Sequence, residues 1–169
     1  MILKSRDARS EEVMAHLSPE LEEALEAECG SSVDPLLASR KPSDLRALKS
    51  IVADDGESMS RRQSAIYLLG NWKDDEAVAI ITDAVRQMDE VGKIAAASAL
   101  GRMGTDPAIR ALAELARDEA LDVRRIAVNG LARSTADEAS RALQAAASTD
   151  DSEMIRARAA AAMRRRSGG

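Results

Sequence analysis

Apolar residues recur along this chain at three- and four-residue steps, the spacing of helices with one buried face. Leu45, Leu48, Ile51 and Val52 form one such stripe; Val78, Ile81 and Val85 form a second, and Ile109, Leu112 and Leu115 a third. The fourth uses smaller side chains: Ala139, Leu143 and Ala146. Between the stripes lie segments with an Ala-x-x-x-Leu step, Ala65 to Leu69, Ala96 to Leu100 and Ala127 to Leu131. Leu69, Leu100 and Leu131 are 31 residues apart, and Met163 follows 32 residues later. Seven positions before each of the four stands a basic residue: Arg62, Lys93, Arg124 and Arg156. Asp75, Asp106 and Asp137 repeat at 31 as well.

Self-similarity at a fixed short period predicts a stack of like units. Each unit reads as two helices. One pair alone leaves an apolar stripe uncovered, whereas piling pairs on one another buries a continuous core. The predicted fold is therefore an all-α solenoid of about four pairs, at 43–73, 74–104, 105–134 and 135–166, with residues 1–42 as an N-terminal helical cap and 167–169 as a tail. Asp106-Pro107, Asp34-Pro35 and Ser18-Pro19 read as N-caps followed by proline in the first turn. Gly104 reads as a helix stop. Gly70 and Gly101 share one repeat position, and either end a helix or admit close helix contact.

Composition narrows the class further. The 169 residues are 45% hydrophobic and 31% charged, with no Phe, one Trp and one Tyr. A core so rich in Ala and Leu suits closely packed helices and fits strands badly. The net charge is −5. Residues 1–60 hold 7 basic against 13 acidic side chains, a net of −6, and residues 61–169 hold 17 against 16, a net of +1. Neither part has the positive excess of a phosphate-backbone binder, so nucleic acid is disfavoured as a partner. The single Cys29 allows no intrachain disulfide, and the first residues lack an apolar signal core. The longest uncharged run, Gln63 to Trp72, is too short to cross a bilayer. A cytoplasmic protein with no membrane partner is expected.

The stretch Asp118-Glu119-Ala120-Leu121-Asp122-Val123-Arg124-Arg125-Ile126-Ala127-Val128-Asn129-Gly130-Leu131-Ala132 resembles the HEAT repeats, in particular the short bacterial form known as PBS-lyase HEAT-like repeats. Asp150 and Arg156 repeat the six-residue spacing of Asp118 and Arg124, and the resemblance runs over residues 43–166. Unit two departs from the pattern with Gln87, Gly92 and Lys93. In unit one a longer loop makes Asp55 and Arg61 the alternative pair. The resemblance implies a right-handed superhelix whose second helices line a concave docking surface for proteins. Relatives include bilin-attaching proteins, a di-iron hydroxylase of a lysine derivative, and binders of damaged DNA.

Several polar sets keep the repeat register. Asp118, Arg124, Asp150 and Arg156 read as a structural ladder fixing the inter-helix turns, or else as a basic ladder for an acidic ligand. Asn71, Arg102, Arg133 and Arg165 fall at the C-terminal ends of the second helices, where cations suit the helix dipole. The other reading is a positive stripe that meets an acidic protein segment. Gln63, Ile94 and Arg125 share one further position, and Tyr67, Ser98 and Asn129 another. Tyr67 and Trp72 are either binding anchors or filler between units. Arg164 to Arg166 form a short cationic end, and Glu20, Glu22, Glu23, Glu26 and Glu28 an acidic helix opened by Ser18-Pro19 and closed by Gly30.

The residues needed for familiar catalysis are scarce. His16 is the only histidine, so neither a di-iron centre nor an ordinary zinc site can be assembled from His and Cys, and a Ser-His-Asp or Cys-His arrangement would have to run through His16. There is no Gly-rich phosphate loop. No catalytic, cofactor or metal residues are assigned, and the chain is expected not to be an enzyme. The expected function is that of a scaffold binding another protein, one with an acidic segment, through Tyr67, Asn71, Ile94, Ser98, Arg102, Arg125, Asn129 and Arg133. The alternatives are a nucleic-acid binder using the Arg edge, or a lyase-like accessory subunit of a cofactor-bearing protein.

Overall fold

A computed structural model describes residues 17–26 and 41–167. His16, Cys29 and Gly30, the end of the acidic run at Glu28, the Asp34-Pro35 cap and the last two tail residues lie outside the described residues. The described residues form nine helices and no strand. They are α1 (Pro19–Glu26), α2 (Pro42–Ala53), α3 (Met59–Trp72), α4 (Asp75–Val85), α5 (Glu90–Met103), α6 (Asp106–Leu115), α7 (Leu121–Leu131), α8 (Asp137–Thr149) and α9 (Glu153–Ser167). From α2 onward they pack as consecutive pairs: α2 with α3, α4 with α5, α6 with α7, and α8 with α9. First helices contact first helices (α2, α4, α6, α8), and second contact second (α3, α5, α7, α9), giving two layers. Helix α1 joins the second layer by packing on α3.

The core lies between the layers. Leu48, Ile81, Leu112 and Leu143 of the first helices are fully enclosed. So are Leu69, Leu100 and Leu131 of the second helices, while Met163 packs half-buried against the same cluster. Burying each such leucine contributes roughly 1.5–3 kcal/mol.

The second helices can lie close because their contact positions are nearly bare. A Cβ added at Gly70 of α3 would stand 2.8 Å from Cβ and 3.0 Å from Cα of Ala99 on α5. One at Gly101 of α5 would stand 3.2 Å from Cα of Gly130 on α7. Both glycines lie inside their helices and serve close approach; neither ends a helix.

The helix ends follow local chemistry. Ser58, Asp74 and Asp89 cap α3, α4 and α5 by accepting backbone N–H bonds from Arg61, Ala77 and Gly92, and Ser18 does so for α1 from Leu21 N–H. Asp106 is not the cap of α6: Thr105 holds that position, with Asp106 and Pro107 in the first turn. Asp75, Asp106 and Asp137 each open their helix, so the 31-residue acidic mark places a carboxylate at the positive end of α4, α6 and α8. At the other end, Gly104 stops α5 with φ +65°. Lys73 does the same for α3 at φ 51°, a left-handed conformation in a residue that carries a Cβ.

Candidate functional site

Two polar regions keep the repeat register, one in the turns inside the pairs and one on the outer surface of the second helices. The turn network is the more tightly bonded. Arg124 is 8% exposed. Its Nη1 donates to the carbonyls of Asp118 and Glu119 in its own pair, both at 2.9 Å. The rest of its guanidinium crosses to the next pair: Nε reaches Asp150 Oδ2 at 3.0 Å, and Nη2 reaches Asp151 Oδ1 at 2.6 Å. Arg156 repeats the local half, donating Nη1 to the carbonyls of Asp150 (2.7 Å) and Asp151 (3.0 Å). Lys93 repeats the crossing half, with Nζ 2.7 Å from Asp118 Oδ2. Asp118 therefore pairs by its side chain with the preceding unit, and within its own unit it offers Arg124 only its carbonyl. At the first junction Gln87 stands where Asp118 and Asp150 stand, and Arg62 turns to Asp55 of its own pair at 3.7 Å. Arg61 pairs with Glu57 at 3.5 Å, so Asp55 belongs to Arg62.

The two ladder carboxylates are shifted accordingly. Burial pushes the Asp118 pKa up, but hydrogen bonds from Lys93 and the Ala120 N–H, with the charges of Lys93 and Arg124, outweigh it and hold the group below the ordinary carboxylate range. Asp150 likewise overcomes its burial through the Ser152 N–H and the hydrogen bonds and charge of Arg124, and is also lowered. A cavity of about 350 Å³ opens beside this network, lined by Ala142, Ala145 and Ala146 together with Asp118, Arg124 and Asp150.

On the second helices the sequence-predicted residues form rows. Gln63, Tyr67 and Asn71 lie along α3; Ile94, Ser98 and Arg102 along α5; Arg125 and Asn129 along α7, with Arg133 in the turn that follows it. Members within a helix are four apart, so those on α3, those on α5, and Arg125 with Asn129 on α7 each keep to one helix side. All but Arg133 are half-buried; Arg133 is exposed, as is Arg165 at the equivalent place on α9. Arg102 is half-buried: it lies 4.7 Å over the Tyr67 ring and donates to the Tyr67 carbonyl at 3.4 Å. Arg125 pairs with Asp122 at 2.9 Å, and Asn129 accepts from Arg158 at 2.8 Å. Trp72 is 5% exposed and belongs to the core, so it is no surface anchor. Of the terminal arginines, Arg164 and Arg165 are exposed, whereas Arg166 folds back onto the Leu131 and Ser134 carbonyls and the Ser140 hydroxyl.

Polar periodicity passed over one further set. Met59, Val91, Leu121 and Met154 are exposed at the starts of α3, α5, α7 and α9. The signal that finds them is the register of Arg62, Lys93, Arg124 and Arg156, read two or three residues earlier.

Among the described residues, no group of three or more His, Cys, Asp or Glu side chains converges to hold a metal, and no helix is long and apolar enough to cross a membrane. The HEAT repeats model matches residues 45–128 and 82–164. No curated protein matches the chain. Among solved structures it is similar to human deoxyhypusine hydroxylase in complex with glycerol, at TM-score 0.68 and 22% identity. The likeness covers 85% of this chain and 51% of the hydroxylase, so the chain spans about half of that protein's length. At this identity the likeness establishes the fold. It also corrects the expectation that the chain is not an enzyme: the same helix-pair architecture is the framework of a hydroxylase, and a scarcity of histidine in one sequence is too weak a ground for excluding catalysis.

Proposed function

The chain belongs to the HEAT-repeat family, and on that premise we propose that it is a protein-binding scaffold whose second-helix surface grips an acidic segment of a partner. One observation carries this reading: equivalent positions on, or just beyond, consecutive second helices repeat as partly exposed rows that reach the exposed arginines Arg133 and Arg165. Evenly spaced cations on a rigid stack are suited to an extended or helical acidic chain, since each added pair contributes another charge-assisted contact. Tyr67 adds apolar area, and the guanidinium of Arg102 on its ring holds both side chains in place.

The test is charge reversal on the exposed members of the row. Affinity capture from an extract of the source organism, read by mass spectrometry, should lose its partner in the Arg133→Glu/Arg165→Glu double variant while the helical circular-dichroism signal stays unchanged. Reversal of Arg102 with Arg133 should act the same way and also release Tyr67. Undiminished capture by both variants would remove the row as the binding surface.

A further inference from the structure

Arg124 divides its guanidinium between two turns. Nη1 seats it on its own turn, on the carbonyls six and five residues before it. Nε and Nη2 reach forward to Asp150 and Asp151 of the next pair. Arg156 has the same seat: its Nη1 takes the carbonyls of Asp150 and Asp151, again six and five residues before it. Two bonds from one nitrogen to one turn hold the planar fork in a single orientation. The Nε and Nη2 edge of Arg156 therefore faces onward, away from the third pair. Among the described residues this edge meets no carboxylate and no other acceptor. Arg156 is half-buried, and both atoms are open to solvent.

A like pair does not stack on α9. In this fold the next second helix comes up against Gly70 of α3 and Gly101 of α5, where an added Cβ would already crowd it. The same repeat position on α9 is Arg164, and it is exposed. A close-packed helix there would bury an arginine with no partner. The half-clasp at Arg156 thus lies on a surface.

From this we infer that the Arg156 edge is a docking point for a turn of another protein that presents two adjacent aspartates. The chain itself shows the fit: Asp150 Oδ2 lies 3.0 Å from Arg124 Nε, and Asp151 Oδ1 lies 2.6 Å from Nη2. Carboxylates close to Arg156 do not fill the site. Asp150 and Asp151 are held by Arg124, and Glu153, exposed three residues before Arg156, is in no ion pair among the described residues. Arg124 has similar company in Asp118, Glu119 and Asp122 and still takes two further carboxylates. A second copy of this chain is the poorer occupant, because its own Asp54-Asp55 turn is in use. Asp54 accepts the Gly56 N–H at 2.9 Å, and Asp55 faces Arg62 at 3.7 Å.

The probe is a head-to-tail cyclic hexapeptide with Asp-Asp at one turn, added to isotope-labelled protein. One exposed clasp binds weakly, so the readout is the Arg156 Nε–H resonance itself, with the backbone amides of α9 beside it. The resonance should shift with the Asp-Asp ring, and that ring should bind at least about fivefold more tightly than an Asn-Asn ring. Arg156→Lys keeps the charge without the fork and should lose about fivefold, followed on the α9 amides. Arg133→Glu/Arg165→Glu should bind as the wild type does, which separates this site from the arginine row. The inference is overturned if the Arg156 resonance stays still, or if the Asn-Asn ring or inorganic phosphate at equal ionic strength moves it as far. It is also overturned if Arg156→Lys binds undiminished, if Arg133→Glu/Arg165→Glu abolishes binding, or if sedimentation shows self-association that Arg156→Lys removes. The wild-type titrations decide by themselves should Arg156→Lys fail to fold.

Discussion

Arg124 and Asp150 belong to different helix pairs, yet the guanidinium of one lies against the carboxylate of the other at 3.0 Å with both side chains almost fully covered. The same arginine also holds Asp151 and the Asp118 and Glu119 carbonyls, so a single side chain fastens the turn of its own pair and the turn of the next. Removing the arginine returns the exposed Asp151 to water but leaves the covered Asp150 carboxylate desolvated and without its cation. Arg124→Ala should therefore cost about 3–5 kcal/mol in urea unfolding. Arg124→Lys should recover only part of this, because an ammonium cannot reproduce the fork that spans both partners. A loss within 0.5 kcal/mol, the ordinary range for surface substitutions, would place the network outside the forces that hold the stack.

Acid should act at the same place. Asp118 and Asp150 both have lowered pKa values in the folded chain. The stability they add is fully present above the unfolded carboxylate value of about 3.9 and is lost as pH falls from there through their lower folded values. Melting temperature measured down through this range should fall more steeply in the wild type than in Asp118→Asn/Asp150→Asn. Parallel curves would refute the assignment.

The tight contact at Gly70 predicts an unusual sign for a glycine-to-alanine change inside a helix. Alanine at an exposed site would gain up to about 1 kcal/mol in helix propensity. At Gly70 the added methyl meets Ala99, and overpacking of this kind costs typically about 1–3 kcal/mol. Gly70→Ala should destabilise, and Gly70→Ala/Ala99→Gly should recover much of the loss by returning the space.

Lys73 offers the opposite case. It sits one repeat before Gly104 and adopts the same left-handed conformation, φ 51° against +65°. Lys73→Gly should stabilise the chain by roughly 1 kcal/mol, since the strain on Cβ is removed at a position already outside the helix. A decrease in melting temperature would contradict this.

In the interior, Leu131→Ala should cost about 2–5 kcal/mol, as the cavity would form among side chains with little room to collapse. An effect below 0.5 kcal/mol, as at an exposed site, would contradict the buried register of Leu69, Leu100 and Leu131.

The stacking was legible in the sequence because burial forces the same small and apolar residues to return at every 31st position, and Leu69, Leu100 and Leu131 do return there. The direction of the polar ladder was not. Asp118 and Arg124 look like partners at a spacing of six, but the turn presents its carbonyls to that arginine and leaves the Asp118 carboxylate facing Lys93. Trp72 and Met59 show a related limit: both are apolar residues at helix ends, yet one is covered and the other bare, and only the neighbouring layer decides which. The cap of α6 was displaced by one residue because Thr105 and Asp106 are both acceptable cap types, and the choice between them rests on backbone angles.

Gln87 gives the three junctions different chemistries. The second and third are clasped by Lys93 on Asp118 and Arg124 on Asp150, whereas the first relies on the Gly70–Ala99 approach and on Arg102 lying over Tyr67. Protons and competing cations loosen carboxylate clasps and leave a guanidinium on an aromatic ring untouched. In such media α2 to α5 would keep moving as one rigid block while the later pairs gain freedom to tilt, so the curvature of the rod becomes adjustable at one end only.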